Sequence, residues 1–215
     1  MKKVSIGLSI FLLVICFLLL NSKVEASEYI IYIDPGHGGV DGGAFVNNVK
    51  ESELTLEISK KLKEIFEENG LTVFLTREVD EDLCEGEFIK REDMLNRVNM
   101  INRSNATLAI SIHLNRFSIA KYRGAQVFYN DINPQNSILA DMIQKSLGFY
   151  LGNTNRKIVK RENIFLLNKV SVPCCIIECG FMSNPEEFEL LQSENYQYKI
   201  ANALLYAVQD YLRLY

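Results

Sequence analysis

The chain has 215 residues, with 23 Lys and Arg against 27 Asp and Glu and a formal net charge of −4. That length suits one domain, and an ordinary apolar fraction allows it a sizeable core. A mildly acidic chain without a long basic stripe excludes nucleic acid as the expected partner and leaves neutral sugars and peptides open.

Lys2 and Lys3 precede an apolar run over residues 4–20, followed by the polar Asn21-Ser22-Lys23. Val24-Glu25-Ala26 then offers permissive residues where a signal peptidase reads, so residues 1–26 are expected to be an export signal cleaved after Ala26. The alternative is an uncleaved membrane anchor, because the run is near the lower length that spans a bilayer. Lipidation of Cys16 is disfavoured by the bulky Ile15 before it. Either reading expects residues 27–215 to act outside the cytoplasm as one domain, with contact to a membrane only through the N-terminal segment.

Residues 29–33 are β-branched and aromatic and stop at Asp34-Pro35-Gly36, which predicts a strand and a turn. Residues 53–69 carry Leu54, Ile58, Leu62, Ile65 and Phe66 at helical spacing, with Gly70 as the cap. A strand over 71–76 follows, then a helix over 91–103 with Met94, Leu95, Val98 and Ile101 on its apolar face. Residues 106–112 are almost wholly apolar, as in a strand buried on both faces. A strand over 124–129 leads to Asn133-Pro134, which opens a helix to about residue 147. Residues 164–167 read as a short strand and 173–179 as a buried one. Asn184-Pro185 opens a helix to about residue 191, and residues 194–214 form a long amphipathic helix. This alternation predicts an α/β fold with a mainly parallel sheet covered on both faces.

Of five cysteines, Cys84 stands alone while Cys174, Cys175 and Cys179 crowd one apolar segment. Adjacent cysteines pair poorly, so these three read as small core hydrophobes rather than as a disulfide framework or metal cluster.

The chain has only two histidines. His37 lies just past the first predicted strand, and His113 ends the most apolar one. Ligands bind beyond the carboxyl ends of strands in open α/β sheets, so both imidazoles are expected at one rim. Imidazole and carboxylate oxygen suit zinc, whose catalytic sites use three protein ligands. Glu51 and Glu53 both stand near the start of the first helix, where a glutamate also favours the helix dipole; spacing does not choose between them. Glu178 emerges from a buried strand, where a carboxylate is costly unless it is paired, metal-bound or protonated. Beside a metal-activated water it would serve as a general base or acid. Gly36, Gly38, Gly39, Gly42 and Gly43 match neither the P-loop nor the dinucleotide spacing. No nucleophile-elbow sequence is present either.

Four separated segments, Ile33-Asp34-Pro35-Gly36-His37-Gly38-Gly39, the helix start at Glu51, Ser111-Ile112-His113-Leu114-Asn115 and Ile177-Glu178-Cys179-Gly180-Phe181-Met182-Ser183-Asn184, resemble the zinc-dependent N-acetylmuramoyl-L-alanine amidases. Leu75-Thr76-Arg77 and the helix with Arg97 and Asn102 resemble further family segments. The resemblance implies one Zn2+ held by His37, Glu51 and His113, with Glu178 catalytic and Asn115 a weaker candidate for orienting substrate. It implies one mixed, mainly parallel sheet of about six strands with helices on both faces. The implied substrate is peptidoglycan, cut between the muramic acid lactyl group and L-Ala. A short chain without a wall-gripping module is most similar to the spore-cortex subgroup. That implies a role in muramic-δ-lactam formation before germination, in the cell wall or forespore intermembrane space. Three ligands on separate loops make metal affinity depend on loop order, so an accessory protein aiding metal binding or localisation is expected. The alternatives are another zinc hydrolase of the wall, a peptidase or deacetylase, and a non-catalytic wall-binding protein.

Overall fold

A computed structural model describes residues 29–214, so the expected signal segment lies outside the described residues. Six strands form the main sheet: β1 (Ile30–Pro35), β4 (Thr72–Leu75), β5 (Leu108–Asn115), β6 (Gln126–Tyr129), β7 (Val159–Lys160) and β8 (Cys174–Phe181). Their spatial order is β4-β1-β5-β8-β6-β7. The first four are mutually parallel, and β6 turns antiparallel to β8 with β7 parallel to it. A hairpin, β2 (Phe45–Val46) with β3 (Val49–Lys50), stands apart and runs directly into the first helix.

The helices are α1 (Glu51–Glu68), α2 (Lys90–Arg103), α3 (Gln135–Leu151), α4 (Phe165–Lys169), α5 (Pro185–Gln192) and α6 (Glu194–Leu212). Strand alternation divides the core in two. Ile31 and Ile33, Ile110 and Ile112, and Cys175 and Ile177 face the larger core with residues of α1, α3 and α6. Tyr32, Ala109, Cys174 and Ile176 face a smaller core with residues of α2 and α4. One alternation step further along that second face come Asp34, Ser111 and Glu178, and a second step along β5 brings His113. Asp34 is register partner to Ser111 and His113 to Glu178. The same two-residue period that fills the small core thus delivers polar groups to the rim beyond it.

Two expectations are corrected. Residues 164–167 do not form a strand; Ile164 caps the short helix α4, which buries Leu166 and Leu167. A four-residue apolar run suits either state, and the edge strand is β7 instead. Leu95 is 39% exposed, whereas Asp93 and Arg97 of the same helix are buried. Arg97 can go inside because its donors are taken up: Nε bonds Asp93 Oδ2 at 2.8 Å, and Nη1 bonds Asp34 Oδ1 at 2.9 Å and Pro35 O at 2.8 Å. Cys174, Cys175 and Cys179 are buried free thiols whose pKa burial pushes up, as core hydrophobes should be.

This network has a pH signature. Burial alone would raise the Asp34 pKa, but Arg97 and hydrogen bonds from Ser111 and Thr76 outweigh it and hold the carboxyl at about 2, from 3.8. A carboxylate depressed in the folded state stabilises the protein above its unfolded pKa, and that stability disappears as pH falls through the folded value. The ion pair is therefore expected to contribute about 2 kcal/mol at neutral pH that fades between about pH 4 and pH 2. Acid unfolding of Asp34→Asn should lack that part of the wild-type pH dependence.

Candidate metal centre

His37 sits just past β1 with φ 62°, the left-handed region that a non-glycine residue rarely takes. The surrounding backbone enforces it. Arg97 Nη2 donates to His37 O at 2.5 Å, and Arg77 holds the preceding turn through Pro35 O at 3.1 Å and Gly36 O at 2.9 Å. Gly38 and Asp41 exchange backbone hydrogen bonds of 2.8 and 3.1 Å, which folds Asp41 back over the imidazole. Asp41 Oδ2 then lies 3.0 Å from His37 Nδ1 and also takes an ion pair from Lys90. A carboxylate on one ring nitrogen leaves the other free to ligate, and His37 Nε2 faces Glu51 Oε1 at 3.3 Å.

Glu51 is the first residue of α1, and the hairpin before it sets its direction. Its Oε2 accepts from Ala44 N at 2.9 Å and its Oε1 from Leu114 N at 3.0 Å. His113 Nδ1 lies 3.1 Å from the same Oε1. Burial would raise the pKa of this carboxyl; hydrogen bonds and charge from His113 and His37 instead hold it well below the usual carboxylate range. Glu53, which spacing alone could not separate from Glu51, points elsewhere: its Oε2 accepts from Lys50 N at 3.3 Å and caps the helix.

The three donor atoms lie within 4.8 Å of one another. A tetrahedron with zinc–ligand bonds of about 2.0–2.1 Å has edges of about 3.3–3.4 Å. The separations of Glu51 Oε1 from the two nitrogens, 3.3 and 3.1 Å, are close to such edges. Two imidazoles and one carboxylate, with a side open to a groove, fit a catalytic zinc ion.

Glycine at two positions makes this closeness attainable. A Cβ on Gly36 would stand 2.4 Å from His113 Cε1, and one on Gly43 would stand 2.7 Å from both Glu51 Oε2 and His37 Cδ2. Gly36→Ala is therefore expected to displace His113 and weaken zinc binding roughly 10–100-fold, the range for disturbing the support of a metal ligand. Zinc titration checks this, with thermal unfolding as the control for a folded chain.

Glu178 lies on β8 beside His113. Its Oε2 is buried and, among the described residues, has no hydrogen-bond partner. Burial raises its pKa to about 7, His113 opposing and Glu51 adding to the shift. A bound cation would draw it down again. Glu178 lines a groove together with His37 and His113, and its apolar walls include Met94, Phe128, Ile164, Leu166 and Ile176. Asn115 is not brought into that groove. It follows a register irregularity in β5 and lines an adjoining cavity with Phe128 and Phe181. Sequence reasoning gave no role to Asp41, four residues after His37, or to Lys90. It noted Arg77 and Arg97 only as parts of matching segments; a buried arginine in an otherwise amphipathic helix leaves no periodic signal.

A two-imidazole, one-carboxylate donor set beside a buried carboxyl, at the carboxyl rim of a mixed α/β sheet, is an arrangement suited to a hydrolase. The family profile of N-acetylmuramoyl-L-alanine amidase matches residues 31–210, and the chain belongs to that family. It is 42% identical over 194 residues to the germination-specific N-acetylmuramoyl-L-alanine amidase of Bacillus subtilis, covering 88% of this chain and 82% of that relative. Its fold is similar to the CwlD amidase from Clostridioides difficile, solved in complex with the GerS lipoprotein. The TM-score there is 0.83 at 38% identity, covering 87% of this chain and 100% of the other. An N-acetylmuramoyl-L-alanine amidase from Clostridium difficile 630 gives a TM-score of 0.77 at 29% identity, with 86% and 97% covered.

Proposed function

We propose that this chain is a zinc amidase of spore-cortex peptidoglycan, hydrolysing the amide between the lactyl group of muramic acid and L-Ala. The observation that carries the reading is the convergence of both histidines on one oxygen of Glu51, at 3.3 and 3.1 Å, beside the unpartnered carboxyl of Glu178. The likeness to a germination-specific amidase supports the cortex role, and with it action outside the cytoplasm.

His37, Glu51 and His113 would hold the zinc ion, which when bound supplies Lewis acidity towards water and the scissile carbonyl. Asp41 keeps the proton of His37 on Nδ1, so the Nε2 lone pair faces the centre. Glu178 takes a proton from the attacking water and returns it to the leaving amine nitrogen, a transfer open to a carboxyl whose buried Oε2 has no other partner among the described residues. Asn115 lines the adjoining cavity, and its assigned role is to orient the peptide rather than to touch the reacting atoms.

An accessory partner completes the reading. The C. difficile CwlD amidase was solved with a lipoprotein, and the centre here is spread over the β1 turn, the start of α1 and the end of β5. Full zinc occupancy of the isolated chain would remove the motive for that partner. The function itself is tested on cortex peptidoglycan from spores lacking this protein, digested with the zinc-loaded chain and read by mass spectrometry. Stem peptides beginning with a free L-Ala amine are expected. Released acetate, or cuts only inside the peptides, would replace the amidase by a deacetylase or peptidase.

A further inference from the structure

Phe128 lines both the groove and a second, neighbouring cavity. Its lining contains two guanidinium groups, Arg156 and Arg161, and no acidic residue. Arg156 lies 4.7 Å from the Phe181 ring centroid and Arg161 4.9 Å from that of Phe128. Arg156 is anchored: its Nε donates to Arg123 O at 2.7 Å and its Nη1 to Gln126 Oε1 at 3.1 Å. The Arg161 guanidinium has no hydrogen-bond partner among the described residues. Glu178 faces the metal centre, and three other nearby acids are occupied elsewhere. Asp131 and Glu162 both pair with Lys160, and Glu187 accepts from Gly124 N and Phe181 N. Guanidiniums stacked on aromatic faces keep their N–H edges free, an arrangement suited to gripping a carboxylate.

The cavity also lies at the right reach. Gln126 is the register partner of Glu178, so its wall begins one strand away from that carboxyl, about 4.7–4.9 Å across the sheet. An extended peptide advances about 3.3–3.6 Å per residue, so the second or third residue beyond the reacting carbonyl arrives there. The glycan side offers no anion at this point, because the lactyl carboxyl of muramic acid is itself tied up in the scissile amide. We propose that Arg156 and Arg161 form a subsite for a free carboxylate on the second or third residue of the stem peptide. The proposal rests on the amidase reading for the identity of its ligand.

Two measurements separate this subsite from that reading. In the first, zinc-loaded wild type and Arg161→Gln cleave soluble muramyl peptides whose stem carboxylates are either free or amidated. Amidation should lower wild-type kcat/KM about tenfold, chiefly through KM, as expected for losing one partly exposed charge-assisted contact. Arg161→Gln should treat both substrates alike, and Arg161→Lys should recover part of the preference. In the second, stem peptide alone is titrated into Glu178→Gln, with and without Arg161→Gln. The acid form should bind about tenfold tighter than the amide form, and the difference should vanish with the arginine. Equal handling of free and amidated peptides by wild type, or a preference that survives Arg161→Gln, overturns the subsite even when the amide bond is cut. An Arg161-dependent preference in binding without cleavage upholds the subsite and removes the amidase reading instead.

Discussion

Glu178→Gln is expected to keep its zinc and its fold while losing about 10²–10⁴-fold in the rate of stem-peptide release, the range for a positioned general acid–base group. The substitution is nearly isosteric and removes only the ability to take and return a proton. Stability should not fall, since the wild-type carboxyl keeps Oε2 buried without a partner and gains nothing in the folded state from ionising there. The KM for a soluble muramyl peptide should change little, because the carboxyl is assigned to the reacting water and not to substrate binding. Activity within a few-fold of wild type would take Glu178 out of the reaction.

Glu51→Gln should have the second large effect, and on a different observable. One oxygen of Glu51 is shared by both imidazoles, while two backbone amides, those of Ala44 and Leu114, hold the carboxylate in place. A glutamine keeps a single acceptor, so one of those buried N–H groups loses its partner at a cost of about 1–3 kcal/mol. The centre also loses its only anionic donor, so zinc affinity should fall by at least about 100-fold, with activity following occupancy. Metal analysis after dialysis at micromolar zinc separates this from Glu178→Gln, which should remain loaded. Zinc retained at wild-type affinity would mean that Glu51 is only the helix-terminal charge that sequence spacing equally allowed.

That ambiguity shows where sequence reading ends. The nearly continuous apolar runs at 106–112 and 173–179 are readable because each strand is buried on both faces, and with the strand at 29–33 they send both histidines and Glu178 towards one rim. Glu51 and Glu53 both fall in the first turn of α1, and their headings differ only because the β2–β3 hairpin fixes where the helix begins. No periodicity encodes that; the family resemblance supplied it. Arg97 was hidden for a related reason. A helix-face argument sends charge outward, whereas here Asp34, Asp93 and two backbone carbonyls outside the helix satisfy the guanidinium inside. Residues 164–167 failed because four apolar residues are too few to distinguish a turn of helix from a strand.

The central claim, one zinc ion at the rim served by Glu178, is tested most directly by diffraction on both sides of the zinc absorption edge from crystals grown with one equivalent of zinc. The account predicts a single anomalous peak shared by His37 Nε2, Glu51 Oε1 and His113 Nδ1, on the side open to Glu178. A chain that releases stem peptides while its zinc lies elsewhere, with those three side chains still bonded only to one another, would contradict it.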